Sequence, residues 1–108
     1  MTTPGQAKSA TVHLDQERTI TYNERAEFRM GSLDRPFTVA DLRARRRSWA
    51  ALVAWTWACL SEQDAADFAS PESLAPHIQG EATVKAVFEA FLDCYIAGQE
   101  PASKNAAG

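Results

Sequence analysis

Four arginines, Arg43, Arg45, Arg46 and Arg47, stand within one five-residue stretch, and Trp49, Trp55 and Trp57 follow at once. These side chains are the best equipped in the chain to recognise something. A guanidinium offers a planar fork of donors to a carboxylate or phosphate. An indole joins a large apolar body to a single donor and is enriched at binding interfaces. Catalysis has less to draw on. His13 and His77 are far apart in the sequence and lie in no HExxH-like motif, so both read as ordinary structural or surface histidines. There is no GxSxG, phosphate-binding glycine loop or GxGxxG. Cys59 and Cys94 sit in apolar stretches outside any CxxC, the pattern of two buried, reduced thiols. Together with the two histidines they match no zinc-ligand spacing. Glu62, Asp64 and Asp67 read as a solvated helix entry rather than as paired catalytic carboxylates. The expectation is a protein without enzymatic activity, cofactor or metal.

The arginines need an explanation because they fall in the first half of an expected helix, where the macrodipole favours negative charge. Arg43 and Arg47 are also like-charged i,i+4 neighbours, which costs about 0.2–0.5 kcal/mol. Three accounts are open. The arginines pair within the domain, with Glu24, Glu27 or the acids of residues 61–67. They contact another protein. Or they contact nucleic acid, the least supported of the three. A net charge of −3 and a pI near 5.3 argue against bulk binding to a polyanion, and the basic stretch has no interleaved aromatics. Trp55 points away from the expected core face, among Ala44, Ala51 and Ala58, and is either core or interface. Arg43, Arg46, Arg47, Ala51 and Trp55 are therefore the candidate protein-binding residues.

The elements that must position these groups follow from periodicity. A chain of 108 residues is one small domain by default, with little core to spare. Residues 1–10 read as a flexible arm, 11–98 as one globular domain and 99–108 as a disordered tail. In "TVHLDQERTITYN", Val12 and Leu14 alternate, then Ile20 and Tyr22, which predicts a β-hairpin. Asn23 suits an N-cap and Gly31 a C-cap for a short helix over 24–30. Thr38 with Asp41 resembles a capping box for a helix running from about Val39 to Cys59. At about 100° per residue, its core face carries Leu42, Trp49, Val53, Thr56, Trp57 and Leu60. Trp49 and Trp57 are expected to pack on a final helix through Phe88 and Phe91. Residues 61–68 allow a helical turn. Ser70 and Pro71 begin a short helix that Pro76 ends or bends. The last helix, over 81–98, buries Val84, Val87, Phe88, Phe91 and Tyr95, with Gly98 as its C-cap. The fold class is thus α+β: a mainly helical small domain with an N-terminal hairpin and about four helices. The apolar run Trp49–Leu60 spans 12 residues, against the roughly 20 that cross a bilayer. With no apolar leader segment at the N-terminus, the expected compartment is the cytoplasm.

This layout resembles the small tail assembly chaperones of long-tailed bacteriophages and gene-transfer agents. The matching residues are Tyr22, Asn23, Ala26 and Phe28, then Leu42, Arg43, Leu52, Trp57, Ala58 and Leu60, then Ser70, Glu72, Leu74 and Ile78, across about residues 18–80. The arginine run and the charged "GSLDRPF" linker depart from the pattern. The resemblance implies a non-enzymatic protein of the bacterial host's cytoplasm that binds the tape measure protein and helps recruit tail-tube protein around it, with self-association possible. The alternative is a small nucleic-acid-binding or regulatory phage protein that uses the basic helix from Arg43 to Arg47.

Overall fold

The structure, a computed structural model, describes residues 9–43 and 48–99. It opens on an antiparallel hairpin, β1 (Ser9–His13) and β2 (Glu17–Thr21), in the register Ser9↔Thr21 to His13↔Glu17. Alternation sends Val12 and Ile20 into the core and leaves His13 exposed. The helices α1 (Glu24–Gly31), α2 (Val39–Arg43), α3 (Trp49–Cys59), α4 (Glu62–Ala65), α5 (Pro71–Leu74) and α6 (Glu81–Gln99) follow, with a 3-10 turn over Ala75–His77. The expected α+β class and hairpin-then-helices order are what the chain adopts.

The helix starts obey local chemistry. The Asn23 side chain accepts from the Ala26 amide at 2.9 Å. Thr38 and Asp41 form a reciprocal box, at 2.7 Å from the Thr38 amide to Asp41 and 3.2 Å from the Asp41 amide to Thr38. Pro71 stands at the start of α5, and the Ser73 hydroxyl donates back to the Ser70 carbonyl at 2.6 Å. The helix ends depart from expectation. Gly31 and Gly98 lie inside α1 and α6 rather than beyond them, and Ser32 closes α1 in a right-handed conformation. Among the described residues, the one glycine with positive φ is Gly80, at 90°, where the chain turns into α6.

The main correction concerns the expected helix over Val39–Cys59. It is not continuous. Ser48 is extended, with φ −86° and ψ 117°, and its side chain caps α3 by accepting from the Ala51 amide at 3.1 Å. A serine offers the backbone a cap as readily as a helical turn. α3 packs against α1, α2, α5, α6 and β2, so every residue from Ala51 to Cys59 is buried. These neighbours cover the side of α3 that carries Trp55. It is 3% exposed, with its ring 5.7 Å from Phe91 and 5.9 Å from Tyr22. Trp49, expected in the core, is 46% exposed. Leu42, Val53, Thr56, Trp57 and Leu60 are buried as their spacing predicts, and so are Val87, Phe88 and Phe91 of α6.

Beyond α3 the chain adds to the outer side of the hairpin. Leu60 bridges Ile20, and the Ser61 amide donates to the Thr19 carbonyl at 2.9 Å. Cys59 and Cys94 are both buried thiols, as expected. Burial, reinforced by the nearby Cys94, pushes the Cys59 thiol well above its usual range, which leaves it unreactive.

Candidate functional site

Two of the three indoles hold the segment that follows α4 against α3. Trp49 and Trp57 are eight residues apart, on one face of α3. The Trp57 N–H donates to the Phe68 carbonyl at 3.0 Å, and the Trp49 N–H to the Ile78 carbonyl at 2.6 Å. Between these anchors, α3, α5 and the α1–α2 loop enclose a groove of about 720 Å³. Its floor is Val53, Ala54 and Trp57, and its walls include Leu33, Phe37 and Pro71. Trp49 and the exposed Ala50 form one lip, and Asp34, Arg35 and Glu72 supply charge at the rim. The volume lies within the roughly 300–1,000 Å³ usual for ligand pockets, and the apolar lining suits an apolar side-chain array. Among the described residues no three histidine, cysteine or acidic side chains come together to hold a metal. His77 instead packs edge-on against Phe68, 5.8 Å between ring centres.

The candidate binding residues read from the sequence divide sharply. Ala51 and Trp55 are buried among the elements that pack on α3. Arg46 and Arg47 lie outside the described residues, and Arg43 is described only as the last residue of α2. Trp49, assigned to the core from its spacing, is the tryptophan that reaches the surface.

The acids near α4 have a role that their reading as a solvated helix entry missed. Arg18, 4% exposed, donates to Asp15 at 2.6 and 2.9 Å, to Asp64 at 3.1 Å and to Asp67 at 2.7 Å. Its guanidinium also covers the Phe68 ring at 4.9 Å. One cation thus ties the hairpin turn to α4. The Arg18 hydrogen bonds lower Asp15 to about 2, against some opposition from burial. Burial pushes Asp64 up, but the Thr19 amide, Arg18 and the Ser61 hydroxyl together outweigh it and hold the carboxyl below its ordinary range. Glu27 accepts from the Tyr22 hydroxyl. Three of the acids that the intradomain account offered to the arginine run, Asp64, Asp67 and Glu27, hold other partners in the structure.

Fold and groove together define a small α+β domain with an apolar, charge-rimmed cleft. Comparison with protein-family models, curated proteins and solved structures found no match. No helix among the described residues is long and apolar enough to cross a membrane.

Proposed function

We propose that the domain is a non-enzymatic protein-binding module, a tail assembly chaperone of the kind it resembles. In this reading it works in the bacterial cytoplasm, holding the tape measure protein and helping to bring tail-tube protein to it. The observation that carries the reading is the groove between α3, α5 and the α1–α2 loop. It presents buried apolar floor residues beside a half-exposed indole, the arrangement by which a rigid cleft accepts the apolar face of a client helix. The residues of the resemblance also frame this cleft: Trp57 lies in its floor, and Ser70 and Glu72 lie along its edge.

Ala50→Arg tests the proposal, because Ala50 is exposed in the groove and an arginine there fills the cleft without disturbing the core. The expected result is retained folding with at least about tenfold weaker capture of the tape measure protein, because a long charged side chain at the lip obstructs entry of an apolar helix face. Unchanged capture overturns the assignment of the groove. Binding through the groove also predicts weak salt dependence. Steep weakening with salt, together with retention on single-stranded DNA, would favour the nucleic-acid alternative.

A further inference from the structure

Helix α1 carries a second surface, on the side of Trp57 away from the core. Arg25, Phe28, Arg29 and Ser32 follow the i, i+3, i+4, i+7 spacing of one helix face. Ala26 and Met30 turn the adjoining face into the core. Phe28 is 78% exposed, the most exposed of the large apolar side chains described. The arginines beside it lean over the C-terminal end of α3. Arg25 donates to the Leu60 carbonyl at 3.3 Å, and Arg29 donates to the Trp57 carbonyl at 3.1 Å with its guanidinium 4.1 Å above the Trp57 ring. Carbonyls at a helix C-terminus attract cations but carry only a partial charge.

Neither arginine has a carboxylate partner among the described residues. The Arg29 Nε is buried and unpaired. Glu27, which lies between the two arginines in the sequence, accepts from the Tyr22 hydroxyl instead. Burial lowers the Arg29 pKa, and repulsion from Arg25 adds to the effect. Two partly desolvated like charges flank an exposed aromatic ring, and the surface lacks only an anion.

We propose that the Arg25–Phe28–Arg29 face of α1 is a docking surface for an acidic protein segment. The partner's aspartate or glutamate carboxylates would pair with the two guanidinium groups, and an apolar side chain would cover Phe28. A protein segment fits better than nucleic acid. Glu24 flanks Phe28 one turn away, and the chain is net acidic, so an extended polyphosphate tracking the surface meets like charge. A short segment that sets one or two carboxylates against Arg25 and Arg29 meets less of that like charge than a polyphosphate with a charge on every nucleotide. Orphan arginines beside an exposed aromatic also match the enrichment of arginine and aromatic residues in interface cores. This proposal does not depend on the groove being occupied.

The test uses the full chain and two synthetic amphipathic helical peptides with the same leucine face, one flanked by glutamates and the other by lysines. A thymidine oligonucleotide serves as a third probe. Amide NMR shifts locate binding and calorimetry measures it. The expected result is that the glutamate peptide shifts residues 24–32 and the lysine peptide does not. Arg25→Glu should weaken that binding by about tenfold, corresponding to about 1.4 kcal/mol. Phe28→Ala, which removes an exposed ring and leaves the fold intact, should weaken it measurably. Equal binding of both peptides at α1, no shift at α1 with either peptide, an unaffected Arg25→Glu variant, or tighter binding of the oligonucleotide each overturns the proposal. Ala50→Arg separates the two surfaces: it should abolish groove binding and leave the α1 shifts in place.

Discussion

Arg18 and Arg29 are both drawn out of solvent onto an aromatic ring, one over Phe68 at 4.9 Å and the other over Trp57 at 4.1 Å. They differ in what surrounds the charge. Arg18 meets three carboxylates, and its pKa is raised, first by Asp15 and then by Asp67. Arg29 meets carbonyls and another arginine, and its pKa is lowered. A compensated cation at the junction of two elements joins them, since removing it strands its partners. An uncompensated cation at a surface retains unspent capacity to bind. The same side-chain type and the same ring contact therefore serve architecture in Arg18 and leave recognition open in Arg29, both near the C-terminal end of α3.

The largest effect that separates the two is expected from Arg18→Met. Methionine keeps the packing on Phe68 but leaves Asp15, Asp64 and Asp67 without their cation. The expected loss is about 2–4 kcal/mol, below the full cost of a broken buried pair because Asp67 is half-exposed. Chemical denaturation checks it, and a loss under about 1 kcal/mol would reduce this cluster to an ordinary surface network.

Acid titration should show the same asymmetry. Asp15 is lowered from its usual 3.8 to about 2, and Asp64 is also lowered. The stability these carboxylates contribute is complete above the unfolded value and is lost as the pH falls through the folded values. Unfolding free energy should therefore drop from just above pH 4 toward pH 2, and the slope across that window should flatten in Arg18→Met. An unchanged slope would mean that other carboxylates govern the acid limb.

The smallest effect is expected from Arg29→Met. It keeps an alkyl chain on Trp57 and removes a partly desolvated charge without stranding an acid, so stability should move by no more than about 1 kcal/mol in either direction. A loss matching that of Arg18→Met would show that Arg29 is a structural lock as well, and the contrast between the two arginines would collapse.

Much of the architecture was legible because it rests on short-range rules. The hairpin follows from the alternation of Val12 with Leu14 and of Ile20 with Tyr22. The starts of α1, α2 and α5 follow from Asn23, Thr38 with Asp41, and Ser70 with Pro71, since each cap reaches only to residues two or three positions away. The apolar stripe of α6 is equally local. Helix ends were less legible: Gly31 and Gly98 permit a stop without compelling one.

The candidate site was mostly not legible. Spacing along an assumed continuous helix placed Trp49 inside and turned Trp55 away from that face, leaving it either core or interface; in the structure Trp49 is half-exposed and Trp55 is buried. Periodicity can orient a helix with one apolar face, but residues 49–60 are apolar all round and define no direction. The Ser48 restart and the enclosing elements supplied that direction. Arg18 could not be singled out either, since its partners Asp64 and Asp67 lie more than forty positions away. The hairpin, the order of strands and helices and most helix starts are written in the local sequence, because those depend on neighbours along the chain. Only the tertiary structure decided which tryptophan faces solvent and which arginine is neutralised, because burial and charge compensation depend on groups that meet only once the chain has folded.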